Sequence, residues 1–242
     1  MDGKVFDRIE KKYLITRADR KELLKVIKKN MHKDGYFKSE VFNIYFDTDN
    51  YDLIIQSIDQ PVFKHKLRAR SYGGYDRVFL EIKTKLRGPD LNPGYKRRIM
   101  ITNDEFKDLV DKKTTLLELA EAPGRTKHDK QIAKEVDYLI KHFDLKPRIL
   151  VTYNRESYKG EDSLRITFDE RLRYRTKNLY FLKGKRDKIY FKDKQNVILE
   201  IKAHGVLPLW LTDELTKLKI YPQQFSKVGK IYQKIIKEQN VQ

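Results

Sequence analysis

The sequence has 242 residues, enough for one large domain or two small ones. It carries 53 Lys and Arg against 35 Asp and Glu, and the formal net charge of +18 favours polyanionic partners such as nucleotides, polyphosphate, nucleic acid or an acidic membrane face. The absence of cysteine excludes disulfides and thiolate chemistry and suits a cytoplasmic protein. Because no signal core or membrane span of roughly 18 apolar residues is visible, we expect a soluble protein, or one held at a membrane by a partner.

The first half of the chain is predicted to contain five strands and two helices. VFDRIEKKYLIT indicates a strand, and the helix after it has apolar residues at Leu23, Leu24, Ile27 and Met31. YFKSEVFNIYFDT is rich in aromatic and β-branched residues and predicts a second strand, followed by a short helix over YDLIIQSI. A meander then follows: VFKHKLRARSYG, a hairpin turn at Gly73 and Gly74, DRVFLEIKTKLR, the loop GPDLNPG, and YKRRIMI.

The second half is predicted to be mixed as well. Thr102 and Glu105 form a capping box for one helix. HDKQIAKEVDYLIKHF predicts an amphipathic helix whose apolar stripe is Ile132, Val136, Leu139 and Phe143. RILVTYNRESY and SLRITFDERLRYR form a hairpin through Gly160, and residues 176–196 read as a loop or a weak strand. After the strand VILEIKAHG, the helices LPLWLTDELTKL and FSKVGKIYQKIIKEQ close one α+β domain with a large antiparallel sheet, over residues 1–242.

The polar faces of these strands are rich in cations. Since strand side chains alternate between two faces, Glu81, Lys83 and Lys85 lie opposite a face of apolar residues. The other strands repeat the pattern with Arg8, Glu10 and Lys12; Lys66, Arg68 and Arg70; Lys96 and Arg98; Tyr153 and Arg155; Arg165 and Asp169; Glu200 and Lys202. Any one of these strands fits a water-facing sheet surface. Together they favour a polar interior, because a solvated face usually mixes Thr, Ser and Gln with Lys.

A barrel that turns these charges inward would be a cationic tunnel. Close, unpaired cations repel and lower one another's pKa, so such a tunnel requires a polyanion. Chained phosphates fit, because Arg grips phosphate oxygens with a planar fork and Lys adds a compact charge. The isolated carboxylates would hold a divalent ion that bridges phosphate oxygens. The sequence therefore predicts an antiparallel β-barrel that forms a basic tunnel, with the helices packed outside.

The order of the motifs resembles the VTC-type polyphosphate polymerase domain of the triphosphate tunnel metalloenzyme superfamily. The matching fragments run nearly end to end: RIEKKY, NIYFDT, KLRAR, FLEIKTK, YKRR, TYNRESY, LRITFD, ILEIK and FSKVGK. The resemblance implies a single tunnel domain over residues 1–242. One departure concerns the first strand, which reads E-x-E-x-K in related triphosphatases and adenylyl cyclases. Here Arg8 stands at its first position, before Glu10 and Lys12, and the missing carboxylate argues against the hydrolase branch.

The resemblance implies roles for the residues that match the family's motifs. The residues expected to neutralise the transferring phosphoryl group and its leaving group are Arg68, Arg70, Lys83 and Lys227. The further phosphate ligands are Lys12, Lys96, Tyr153, Arg155, Arg165, Lys202 and Ser226. Glu200 corresponds to the carboxylate that binds Mn²⁺ or Mg²⁺, whereas Glu10 and Glu81 either support this metal or form internal ion pairs. Asp169 is expected to be the structural partner of an arginine.

These features predict an enzyme, an ATP-polyphosphate phosphotransferase that adds the γ-phosphoryl group of ATP to a growing polyphosphate chain. The attacking phosphate oxygen is already anionic, so catalysis reduces to alignment and charge neutralisation. An inorganic triphosphatase of the same fold, or a protein that retains polyphosphate without turnover, stays open. The net charge alone would also suit a nucleic-acid-binding module. No nucleic-acid partner is expected, however, because the cations alternate along strands and do not line an outer helix with aromatic platforms.

Overall fold

The computed structural model describes residues 8–59, 62–86, 94–182, 187–191 and 196–239. Within these ranges the strands are β1 (Arg8–Ile15), β2 (His32–Asp47), β3 (Phe63–Tyr72), β4 (Gly74–Leu86), β5 (Gly94–Thr102), β6 (Lys146–Lys159), β7 (Arg165–Arg175), β8 (Lys188–Ile189) and β9 (Val197–His204). The helices are α1 (Arg17–Asn30), α2 (Asp52–Asp59), α3 (Asn103–Val110), α4 (Leu116–Ala120), α5 (Lys127–His142), α6 (Leu209–Lys217) and α7 (Lys227–Gln239). The predicted α+β class with a mainly antiparallel sheet is confirmed.

The chain divides into two compact units. The first comprises the described parts of Met1–Glu40, Tyr153–Arg173 and Ile189–Phe225. The second comprises those of Val41–Thr152, Tyr174–Lys188 and Ser226–Gln242. Strands β2 and β6 contribute one half to each unit, so the strand order is β1-β9-β7-β6-β2 in the first and β6-β2-β3-β4-β5 in the second. The prediction of a single tunnel domain over residues 1–242 stays a prediction.

The core of the first unit lies between its strands and two helices. Apolar side chains of β1, β7 and β9, among them Tyr13, Phe168 and Leu199, pack with buried residues of α1 and α6. Strand β1 is antiparallel to β9 and pairs Tyr13 with Leu199 and the next residue back, Lys12, with Glu200. Since neighbouring residues of a strand face opposite ways, burying the tyrosine row leaves the charged row on the other face.

The core of the second unit also lies between the apolar faces of strands and packed helices. Strands β2 to β5 are antiparallel neighbours, and their apolar faces pack against α3, α4 and α5. Leu67, Leu80 and Ile82 are buried in this core, so Arg68, Glu81 and Lys83 face the other side of the sheet. Strand β3 meets β4 through Gly73, whose φ of +57° lies in the left-handed region that glycine adopts without strain. The predicted hairpin turn is therefore confirmed.

Several boundaries differ from those predicted. Strand β2 begins at His32, four residues before the predicted stretch, and helix α4 was not predicted. Phe143 does not complete the apolar stripe of α5, because the helix ends at His142 and Phe143 becomes its C-cap, 38% exposed. Ala133 is buried there with Ile132, Val136 and Leu139. The described part of residues 176–196 contains only the two-residue strand β8.

The predicted loop GPDLNPG lies outside the described residues except for Gly94, where β5 begins. Among the helices that the structure describes, none has the length and apolar character needed to cross a membrane.

Candidate active site

The second unit holds a compact ionic cluster, here called the arginine cluster, which consists of Arg68, Arg70, Glu81 and Lys96. Glu81 is 1% exposed and lies at its centre. Its Oε2 accepts hydrogen bonds from Arg68 Nε at 2.8 Å and ion-pairs with Arg68 Nη2 at 2.6 Å, while Oε1 lies 2.6 Å from Lys96 Nζ. Arg70 Nη1 lies 4.0 Å from the same Oε2 atom of Glu81. One buried carboxylate therefore faces three cations.

This excess of positive charge shifts the titration of the cluster. Burial alone would raise the pKa of Glu81, but Arg68, Arg70 and Lys96 outweigh burial and lower the pKa to about 2. The pKa of Lys96 is also lowered, first by burial and then by the repulsion of Arg68 and Arg70, although Glu81 opposes both. Glu81 is thus firmly ionised and the cluster keeps a net positive charge, which suits an anionic ligand.

Polar side chains hold the two arginines from the edges of the cluster. Arg70 donates from Nε to Asn43 Oδ1 at 2.7 Å and from Nη1 to the hydroxyl of Tyr72 at 3.2 Å. Arg68 donates from Nη1 to the hydroxyl of Tyr45 at 3.4 Å. Both guanidinium planes are therefore oriented without a ligand, and such pre-organisation reduces the entropy lost when a phosphate binds.

Lysines extend the charge along the sheet. The strand register places Lys66 opposite Lys83 and Lys83 opposite Lys96, so that three ammonium-bearing side chains cross β3, β4 and β5 in one row. Lys83 is exposed. Like charges in directly opposite positions are destabilising, and an anion bound over the row would relieve this repulsion.

Ser226 and Lys227 lie at the start of α7, also in the second unit. The hydroxyl of Ser226 accepts a hydrogen bond from the backbone N–H of Gly229 at 3.3 Å and so helps to cap the helix. Lys227 is the first residue of α7 and is partly exposed.

The first unit holds a second set of charges, here called the glutamate network, which consists of Glu10, Lys12, Arg155, Asp169, Glu200 and Lys202. Lys202 Nζ lies 2.8 Å from Glu200 Oε1 and 3.4 Å from Glu10 Oε2. Glu10 also pairs with Lys12 at 3.3 Å, and Glu200 lies 3.9 Å from Arg155 Nη2. Acids and bases alternate across β1, β9, β7 and β6.

Arg155 is the largely buried cation of this network. It donates from Nε and Nη2 to the two oxygens of Asp169, at 2.7 and 2.8 Å, and lies over the Tyr153 ring at 5.3 Å. Burial would lower the pKa of Arg155, but Asp169 outweighs it and the pKa is raised. The expectation that Asp169 pairs with an arginine is confirmed. Arg165 instead contacts Asp34 and Ser157, with Nε 3.0 Å from Asp34 Oδ2.

The carboxylates that fit a metal lie in the glutamate network. The described residues contain no group of three or more His, Asp or Glu side chains that could hold a metal. Glu10 and Glu200 nevertheless share one cation, the Lys202 ammonium, and Thr167 lies directly opposite Glu200 with a buried Oγ1 that has no described hydrogen-bond partner. Because Mg²⁺ commonly uses one or two carboxylates together with substrate phosphates, these residues fit an ion that arrives with phosphate.

Glu10 and Glu81 both form ion pairs, with Lys202 and with Lys96 respectively, and metal support by Glu10 stays a prediction. Glu81 does not resemble a metal ligand, since both of its oxygens face cations. Other residues of the site were not predicted at all: Tyr45, Tyr72, Asn43, Asp34, Ser157 and Thr167. Their contacts depend on which strands pair and in what register, and a polar side chain in a strand carries no such signal by itself.

No curated protein matches the chain. Among solved structures, a putative adenylyl cyclase from Hippeastrum, HpAC1, described as having a dominant triphosphatase activity, is 13% identical with a TM-score of 0.52, over 92% of this chain and 93% of that chain. A putative adenylate cyclase from Vibrio parahaemolyticus is 11% identical with a TM-score of 0.46, over 94% and 98%.

The likeness to the Hippeastrum structure shows that the chain shares the fold of that protein. The closure of its strands into a tunnel stays a prediction of the sequence. The model of one family, the VTC domain, matches residues 7–236 and includes every motif that carries the arginine cluster and the glutamate network. The chain therefore belongs to the VTC domain family.

Proposed function

We propose that this protein is a polyphosphate polymerase, which transfers the γ-phosphoryl group of ATP to the terminal phosphate of a growing chain and releases ADP. The observation that carries the proposal is the match of the VTC domain model to residues 7–236. The net positive charge of the arginine cluster supports it, since Glu81 is one carboxylate among three cations. An oligophosphate would supply the missing negative charge.

The proposed reaction is a phosphoryl transfer in which the protein aligns charged groups. The attacking oxygen of the chain end is already anionic, so no residue has to remove a proton. Arg68 and Arg70 would bind the non-bridging oxygens of the transferring group in bidentate fashion, because their planes are already held by Glu81 and Asn43. Lys83 and Lys227 would neutralise charge on the leaving ADP.

The glutamate network would serve the phosphate chain and the metal. Glu200 and Glu10 would hold Mn²⁺ or Mg²⁺, and the ion would supply Lewis-acid stabilisation of the negative charge on the phosphates. The further phosphate contacts would come from Lys12, Lys96, Lys202, Arg165, Ser226 and the pair Tyr153 and Arg155.

A second candidate function is a triphosphatase that hydrolyses short polyphosphates. It is favoured by the activity described for the Hippeastrum protein, which shares the fold at 13% identity. A hydrolase must position a water molecule for attack, whereas a polymerase must exclude water and accept a phosphate end.

Incubation with ATP and Mn²⁺ tests the proposal. We expect ADP and long polymer, separated on gels, and about a 100-fold lower rate for Glu200→Gln and for Lys227→Ala, the cost typical of removing one group that stabilises transition-state charge. Lys21→Ala serves as the matched control, because Lys21 is exposed on α1. Release of orthophosphate without polymer would contradict the polymerase and support the triphosphatase. Binding of polymer without turnover would show that the protein only binds polyphosphate.

A further inference from the structure

Tyr45, in the segment NIYFDT, lies beside the arginine cluster. On β2 it lies directly opposite Arg68 of β3, and Arg68 lies opposite Glu81 of β4. The three side chains therefore share one face of the sheet. Tyr45 is partly exposed, and its hydroxyl accepts a hydrogen bond from Arg68 Nη1 at 3.4 Å.

The direction of that hydrogen bond decides which further hydrogen bond the Tyr45 hydroxyl can form. A phenol has one O–H to donate and can accept as well. Because Arg68 can only donate, it uses the acceptor side of Tyr45 and leaves the O–H for another acceptor. Arg68 also contacts Glu81 through Nε and Nη2, which fixes the guanidinium plane. An anion that bound Arg68 at this edge would have a phenolic proton beside it.

The electrostatics at the hydroxyl independently indicate an anion. Burial would raise the pKa of the Tyr45 phenol, yet Arg68, Lys66 and Arg70 outweigh burial and lower the pKa to about 8. A pKa so far below the ordinary value of 10 means that the three cations produce a strong positive potential at this oxygen. Glu81 does not cancel that potential.

We propose that Tyr45 is a further phosphate-binding residue, whose hydroxyl donates a hydrogen bond to a non-bridging oxygen of the phosphate bound by Arg68. The inference rests on the proposed function only in its ligand class, an oligophosphate. It adds a neutral donor beside Arg68, Arg70 and Lys66. A neutral donor orients a phosphate oxygen without adding to the repulsion between Arg68, Arg70 and Lys66.

The proposal makes phosphate binding depend on pH in a defined direction. The charged groups that face the Tyr45 hydroxyl are Lys66, Arg68 and Arg70 of β3, with Glu81 of β4 and Lys96 of β5 behind Arg68. Below a pH of about 8 the phenol keeps its proton and can donate it. Above that pH it becomes an anion that cannot donate and that repels phosphate, so the affinity for an oligophosphate falls.

The test measures tripolyphosphate binding by calorimetry, without metal, from mildly acidic to alkaline pH. It compares the full wild-type chain with Tyr45→Phe and with the control Tyr138→Phe, a tyrosine that is 61% exposed on α5. At neutral pH we expect Tyr45→Phe to bind about tenfold more weakly, as for one lost hydrogen bond to a charged group. We also expect it to lose less affinity than the wild type between pH 7 and pH 9. Equal affinity and equal pH dependence in Tyr45→Phe would overturn the inference.

A second measurement follows the ionisation of the Tyr45 phenol directly, and the response of that ionisation to ligand is measured in the wild-type chain. The ultraviolet absorbance of tyrosinate, taken as the difference between wild type and Tyr45→Phe, should show one phenol that titrates near pH 8. Saturating tripolyphosphate should move this titration to higher pH, because the bound phosphate stabilises the protonated phenol. An unmoved titration would also overturn the inference.

The two proposals fail in different ways. If Tyr45→Phe binds tripolyphosphate like the wild type and the protein still makes polymer, the role of Tyr45 is wrong and the polymerase proposal stands. A wild-type protein that does not bind tripolyphosphate at any pH removes the oligophosphate ligand class, and both proposals with it.

Discussion

Two glutamates in the same local sequence have different surroundings. Leu-Glu-Ile-Lys occurs at residues 80–83 and again at residues 199–202. Glu81 is enclosed by Arg68, Lys96 and, more distantly, Arg70, whereas Glu200 shares the Lys202 ammonium with Glu10. The difference arises from the neighbouring strands and not from the motif. Glu81 is therefore suited to neutralise part of the charge of three cations, whereas Glu200 is suited to share a cation with a second carboxylate.

Replacement of Glu81 by Gln should destabilise the protein in a way that depends on pH. Since its pKa is about 2 in the folded protein and 4.5 ordinarily, the carboxylate contributes stability that is present above about pH 4.5 and lost as the pH falls toward 2. The difference in pKa corresponds to roughly 3 kcal/mol. Urea unfolding of wild type and Glu81→Gln at neutral pH should differ by about that free energy.

At a pH near 2 the same two proteins should have nearly equal unfolding free energies, because the wild-type carboxyl is then about half protonated in the folded protein and almost fully protonated in the unfolded chain. A difference that stays constant from neutral to acidic pH would show that the ion pairs of Glu81 contribute nothing to stability.

At the scale of the elements, helix starts depend on short side chains that accept backbone N–H groups. Thr16, Thr102, Thr115 and Thr126 each form a capping box with the carboxylate at the third helical position. Helix α2 is started differently, by Asp47 at the end of β2. Its carboxylate accepts the N–H groups of Leu53 and Ile54, both at 2.9 Å, and that of Thr48 at 2.8 Å. The Asp of NIYFDT is thus structural and ties α2 to the strand that carries Tyr45.

Asp47→Ala should cost about 3 kcal/mol of unfolding free energy, because it leaves the N–H groups of buried Leu53 and Ile54 without acceptors. Asp47→Asn should cost less, since its amide oxygen still accepts one of them. Thermal and urea unfolding measure both values, and Thr102→Ala, which removes one ordinary capping box, gives a reference cost of about 1 kcal/mol. If the alanine variant is no less stable than the Thr102 variant, Asp47 does not support α2.

At the scale of the whole molecule, the net charge of +18 acts on any polyanion that approaches. We expect the affinity for tripolyphosphate to fall by at least about tenfold between about 0.1 M and about 1 M salt, as the Debye length contracts from about 10 Å to about 3 Å. A variant with Arg68→Gln and Arg70→Gln should bind more weakly at every salt concentration and with a shallower salt dependence. Calorimetry at several salt concentrations measures both, with Lys21→Ala as the control that changes the net charge by one.

The same pair of substitutions also tests the nucleic-acid alternative. If the arginine cluster is the main anion site, the double variant should bind an RNA oligonucleotide no more tightly than it binds tripolyphosphate. Tight RNA binding that survives both substitutions would instead support a nucleic-acid-binding module.

The sequence by itself determined most of the element order, the fold class, the family and the alternation of cations along the strands, because periodicity, turn residues and motif order are local properties. It predicted that Arg68, Arg70, Lys96 and Glu81 lie on polar strand faces, and left open whether Glu81 would support a metal or form an internal ion pair. Only the tertiary structure decided that, and it also brought Tyr45 to Arg68 and Asp169 to Arg155. These contacts join residues of different strands, and a sheet's strand order and register depend on packing across the whole unit.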